Sequence, residues 1–238
     1  MTCVVISCEH ASAALPKGCA QWFAGAKADL HSHLGFDPGA RAVARRLAAA
    51  LQAPLIAGRY SRLLIDLNRS PHNPRRFSRY TRPLPAAVRV AIEQDYYWPY
   101  RQAVEQAVAA GLKQGGPVLH LAVHSFTPVL DGRVRRVDLG LLYDPRRALE
   151  KIACRRLKQD LEAAMPGLRV RCNQPYRGTA DGLTRGLRQL YPQTGYLGIE
   201  LEFNQTLLVA GGTARLSRLL KNSLLIRATD GPAESGAP

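Results

Sequence analysis

Apolar positions along the chain fall into two rhythms. Short β-branched runs cover residues 3–7, 54–57, 118–123, 137–143, 168–172 and 196–203, and read as strands buried on both faces. Residues 62–67 alternate instead. A strand over 63–67 would put Arg62, Leu64 and Asp66 on one face and Leu63, Ile65 and Leu67 on the other. Between the runs lie stretches of helical period. One spans 38–52, with Asp37 as N-cap and Pro38 at the first helical position. Others span 84–113, interrupted near Pro99, then 147–164 and 213–225. Residues 71–85 form a basic, Pro-containing loop longer than a simple connector. Residues 173–182 form a Gly-rich loop, and 229–238 are a Gly/Pro/Ser-rich tail expected to be disordered. Strands alternating with helices predict an α/β sheet covered on both faces. No repeat or linker divides the chain, so residues 1–228 are expected to form one domain.

Composition narrows the function classes. The chain has 238 residues and a net charge of +15, and 27 of its 33 basic residues are arginine. That balance would suit nucleic acid, but the arginines are scattered in pairs and no helix-turn-helix, zinc-finger or RNP pattern is present. Nucleic acid is therefore not the expected partner, and a small anionic molecule is. No stretch is apolar enough to cross a membrane, and the N-terminus lacks a basic n-region. Five scattered cysteines without a CxxC pair argue against a disulfide framework and point to a reducing cytoplasm.

The residues with chemistry gather at strand ends, where α/β sheets bind ligands. They are Cys8-Glu9-His10, His120 with His124-Ser125, and Glu200-Leu201-Glu202, joined by His33 and Asp37 before a helix. Histidines and a carboxylate from separate strand ends can make a three-ligand zinc site with one open position. A further carboxylate then serves as general base. A second group, Arg62 with Asp66, Asn68 and Arg69, could fork onto a substrate carboxylate or form a structural Asp–Arg pair. The loop containing Asn173, Tyr176 and Gly178 can bring backbone amides close to a ligand.

Taken in order, these motifs resemble the N-formylglutamate amidohydrolase family. They are Cys8-Glu9-His10 with Leu15-Pro16, His33 and Asp37 with Gly39-Ala40, Arg62 with Asp66-Leu67-Asn68-Arg69, His124-Ser125-Phe126-Thr127-Pro128, Asn173 with Pro175-Tyr176 and Gly178, and Gly198-Ile199-Glu200-Leu201-Glu202-Phe203-Asn204. The opening and closing motifs look like a divergent branch. The Asp-Leu-Asn-Arg string is also similar to one in aspartoacylases, where it binds the carboxylate side of the substrate. The resemblance implies a zinc-carboxypeptidase-like three-layer α/β/α fold with a mixed, mostly parallel central sheet. It also implies metal-assisted hydrolysis of a small acidic N-acyl amino acid. On that reading Zn2+ or another divalent metal is held by His10, His124 and a carboxylate, Asp37 first and Glu9 second. Glu202 is the first choice as base and Glu200 the alternative. Arg62, Asn68 and Arg69 hold substrate carboxylates, with Asn173, Tyr176 and Gly178 lining the site. The competing functions are a basic nucleic-acid-binding protein on an inactive hydrolase fold, and a zinc peptidase or peptidoglycan amidase.

Overall fold

The computed structural model describes residues 2–209 and 212–225, and among them are eight strands, six of which fall on the apolar runs. They are β1 (Cys3–Cys8), β2 (Leu55–Ala57), β3 (Val118–Phe126), β4 (Val129–Leu130), β5 (Arg133–Val134), β6 (Leu139–Leu142), β7 (Val170–Cys172) and β8 (Tyr196–Asn204). Six of them form one sheet in the order β2-β1-β3-β8-β6-β7, and β4 with β5 forms a separate antiparallel hairpin. β2, β1, β3 and β8 are mutually parallel, β6 runs antiparallel to β8, and β7 is parallel to β6. The helices are α1 (Lys27–Leu30), α2 (Ala40–Leu51), α3 (Ala86–Ile92), α4 (Trp98–Leu112), α5 (Ala148–Ala164), α6 (Leu183–Leu190) and α7 (Gly212–Leu225).

The sheet has a helical layer on each side, because its central strands are apolar on both faces. On one side α2, α5 and α7 bury Val43, Leu47, Leu157, Leu161, Leu216 and Leu220 against Ile6, Leu121 and Leu201. On the other side α4 and α6 bury Val104, Val108, Leu183 and Leu187 with Val5 and Val118. The result is the mixed, mostly parallel α/β/α arrangement that the motifs implied.

Four local readings change. Residues 63–67 are turns and irregular backbone, not a strand. The Leu64 amide closes a turn onto Ser61 O and the Asp66 amide donates to Arg76 O, so the backbone is satisfied without a sheet partner. The apolar run reflects burial of Leu63, Leu64, Ile65 and Leu67 rather than strand pairing. The second change concerns Asp37, which does not cap α2. The helix starts later, after Gly39 in the left-handed region (φ +82), and no side chain caps it. Third, β3 runs on to Phe126, so His124 and Ser125 lie on the strand rather than past its end. Fourth, the expected break near Pro99 is a π turn over Glu93–Tyr97 that joins α3 to α4. Pro99 then sits in the first turn of α4, directly after the π turn. Helix α6 and the β4–β5 hairpin fall where no element was expected. The tail over 229–238 lies outside the described residues.

Candidate active site

Three neighbouring parallel strands bring the candidate residues to one edge of the sheet. β3 and β8 pair so that His124 stands beside Glu202 and Ala122 beside Glu200. His10 follows β1 by two residues. Its carbonyl accepts the Asp37 amide at 2.9 Å, which pins the Asp37 segment across the strand ends. The Asp37 side chain turns inward. Its Oδ2 lies 2.9 Å from His124 Nδ1 and 3.4 Å from His10 Nδ1, and accepts the Ser125 amide at 3.3 Å.

Each histidine is also held from behind by a buried carboxylate. His10 Nε2 meets Asp66 Oδ1 at 2.7 Å, and His124 Nε2 lies 3.0 Å from Glu9 Oε2. Glu9 is in turn held by the Tyr100 hydroxyl, which donates to its Oε1 at 3.0 Å. Arg62 closes the cluster, donating to Asp66 at 2.7 Å with its other nitrogen 3.6 Å from Asp37. All these acids and imidazoles are buried, and their charges set one another's protonation. Burial opposes ionisation of Glu9, yet the adjacent His124 brings its carboxyl down to about 2. Burial and Arg62 oppose protonation of His10, but Asp66 and Asp37 hold it above its ordinary value. His124 rises further against the same burial, between Asp37 and Glu9.

Glu202 behaves in the opposite way. Burial, reinforced by Asp37 and Glu200, pushes its carboxyl up to about 8. Its Oε2 is buried without a hydrogen-bond partner. Glu200, by contrast, accepts the Thr184 hydroxyl. Both line a cavity of about 320 Å³.

The cavity contains His10, Asp37, His124, Glu200, Glu202, Arg62, Asn68, Arg69 and Tyr176 among the expected residues. Asn68 Oδ1 accepts the Leu183 amide at the start of α6, and Arg69 NH1 reaches Asp181 O at 3.4 Å. Three of the residues given a metal or substrate role do not line it. Glu9 contacts the far nitrogen of His124 instead of the cluster. Asn173 supports the loop: its Oδ1 accepts the amides of Tyr143 and Gly178. Gly178 is required because a Cβ there would lie 2.1 Å from the Tyr143 nitrogen. His33 is exposed, and His120 is buried between the hydroxyls of Ser7 and Tyr196. Asp66 makes the structural pair with Arg62 that was one of the two readings of its motif, but its contact with His10 was not foreseen, nor were Tyr100 behind Glu9 and Arg177 and Asp181 on the wall. Asp66 was conspicuous as an acid in an apolar run, but its partner His10 is 56 positions away. Tyr100 reads only as a core aromatic on a helix.

Among the described residues, His10, Asp37 and His124 are the one group of three or more His, Cys, Asp or Glu whose ligand atoms lie within 4.8 Å of one another. Two imidazole nitrogens and a carboxylate oxygen suit a divalent cation with an open position. Carboxylates stand behind both rings, and the Asp66 hydrogen bond to His10 is of the kind that fixes the tautomer and raises the basicity of metal-binding histidines. The orphaned Glu202 oxygen at the same cavity is the kind of group such a site leaves free to move a proton.

A family model for N-formylglutamate amidohydrolase matches residues 2–209. The crystal structure of a gene product from Agrobacterium tumefaciens is 33% identical, with a TM-score of 0.76 over 94% of this chain and 90% of that one. N-formylglutamate amidohydrolase from Ralstonia eutropha JMP134 is 20% identical, with a TM-score of 0.62 over 95% of this chain and 93% of its own. No curated protein matches the sequence. Among the described residues no helix is long and apolar enough to cross a membrane.

Proposed function

The chain belongs to the N-formylglutamate amidohydrolase family, and from that premise we propose that it is a metal-dependent hydrolase of a small acidic N-acyl amino acid. N-formylglutamate, which would yield formate and glutamate, is the first candidate. One observation carries this reading. A three-donor cluster, an unpartnered buried carboxyl and several guanidinium groups converge in one cavity of about 320 Å³. That size suits a small ligand better than the extended groove a cell-wall amidase needs.

His10, Asp37 and His124 would hold the cation, with Asp66 and Glu9 orienting the two rings. When bound, a divalent cation polarises the amide carbonyl and makes water easier to deprotonate. Glu202 takes the proton from the water that attacks the acyl carbon. It then delivers that proton to the leaving nitrogen as the C–N bond breaks. Glu200, tied to Thr184, keeps Glu202 in a negative neighbourhood and so holds its basicity up. Arg69, only loosely engaged with Asp66 at 3.8 Å, is the better placed of the two motif arginines to fork onto a substrate carboxylate. Arg62 is already committed to Asp66 and Asp37 and would shape the site rather than grip substrate. The surplus of arginine favours approach of an anion.

The test is elemental analysis of the purified protein together with amine release from a panel of N-acyl amino acids. About one divalent ion per chain is expected, with activity lost on chelation and restored by metal. Diacid substrates should be preferred to neutral ones. A fully metal-loaded protein inert towards every N-acyl amino acid would sink the proposal.

A further inference from the structure

The molecule has a second cavity, of about 290 Å³, that shares no lining residue with the first. The segment over residues 61–69 lines both. It sends Arg62, Asn68 and Arg69 into the active-site cavity, and Ser61, Leu64, Ile65 and Leu67 into the second. The opposite wall is the π turn and the start of α4, which contribute Asp95, Tyr96, Pro99 and Tyr100. π turns are rare and frequently mark functional sites.

The lining specifies the occupant. Its interior is aliphatic and aromatic: Tyr60 and Tyr96 meet edge to face at 5.2 Å, beside the Tyr100 ring. The volume is about twice the ~150 Å³ that accommodates benzene in an apolar cavity. That leaves room for one aromatic ring and a short chain. Two charges of opposite sign complete the lining. Arg59 and Asp95 are both exposed, and neither has an ion pair among the described residues. Arg59 sits over the Tyr60 ring at 5.7 Å. A single-ring ligand carrying both an anionic and a cationic group would use every one of these features.

We propose that this cavity is a second ligand site, for an aromatic α-amino acid. The ring packs among Tyr60, Tyr96 and Tyr100. The carboxylate meets Arg59 and the ammonium meets Asp95. The occupant would touch the Tyr100 ring, whose hydroxyl holds Glu9 behind His124, so the two cavities meet through one short chain of contacts.

Calorimetric titration of the intact protein with L-phenylalanine, phenylacetate and phenethylamine tests this. Phenylalanine should bind saturably at one site per chain. Phenylacetate and phenethylamine, each lacking one charge, should bind about tenfold more weakly. Arg59→Gln should weaken phenylalanine and phenylacetate but spare phenethylamine, and Asp95→Asn should do the converse. Both residues are exposed, so both variants should fold and retain wild-type metal content and hydrolysis. N-formylglutamate should not compete. Absence of saturable binding at millimolar phenylalanine overturns the proposal. So does competition by N-formylglutamate, equal binding of all three ligands, or unchanged affinity in both variants.

Discussion

His120 and His124 lie four residues apart on β3, and both are buried. They differ in what faces them. In the middle of the sheet, His120 sits between two neutral hydroxyls, Ser7 Oγ at 2.8 Å and Tyr196 Oη at 2.7 Å. With no carboxylate in contact, burial brings its pKa down to about 4, and it stays neutral. At the carboxyl edge, His124 sits between two carboxylates, Asp37 and Glu9, and is pushed the other way. The same residue in the same strand is a core polar group in one place and a candidate ligand in the other. Burial is common to both, so the charge of the partners makes the difference. Those partners gather at the edge because parallel strands deliver their following loops to the same side.

The sharpest way to break this comparison is to remove each ring. His124→Ala should lose the bound metal and with it detectable hydrolysis. His120→Ala should keep the metal but lose about 2–4 kcal/mol of stability, from the cavity and the two stranded hydroxyls. Elemental analysis and urea unfolding of both variants check this. Metal loss in His120→Ala with retention in His124→Ala would reverse the roles.

A second test stays at the edge and asks which acid moves the proton. Glu202→Gln should lower turnover about 10²–10⁴-fold while metal content and substrate binding survive. Glu200→Gln, whose parent is already bonded to Thr184, should lose less. A collapse confined to Glu200→Gln hands the role to Glu200.

The carboxylates behind the edge histidines should matter less than the histidines themselves. Glu9→Gln should weaken metal binding about 10- to 100-fold in titration against a competing chelator. Tyr100→Phe removes only one donor to Glu9, and should weaken it by about fivefold. Unchanged affinity in both variants would leave the Tyr100–Glu9–His124 chain without a role in metal binding.

A last effect is in the pH dependence of stability and belongs to the centre of the sheet. An unfolded histidine takes up a proton near pH 6.5, whereas buried His120 refuses it until about pH 4. The unfolded state therefore binds more protons across that window, and stability falls as pH drops through it. The contribution is on the order of 3 kcal/mol when complete. Urea unfolding at a series of pH values should show a shallower decline in His120→Ala than in the wild type. Parallel curves would show that His120 does not supply the slope.

How much of this could be read along the chain follows from where each signal resides. Period and β-branching are local, so the sequence by itself determined an alternating α/β chain, its six sheet strands to within a few residues, and the gathering of His10, His124, Glu200 and Glu202 towards the carboxyl ends of those strands. It also determined that Asp37 and the Arg62–Arg69 motif belong with them, through their ordered resemblance to one family. Local signals misled where burial and pairing look alike, as in residues 63–67, or where a side chain has two possible employers, as with Asp37 before α2. Tertiary structure alone decided that Asp37 abandons the helix end for two imidazoles, that Asp66 and Glu9 stand behind the rings, and that Asn173 and Gly178 build a loop instead of lining the cavity. It also decided which of two identical residues on β3 faces carboxylates. Electrostatic coupling depends on distance in space, and partners 27, 56 and 87 positions apart, like those of His10 and Asp37, leave no periodic trace along the chain.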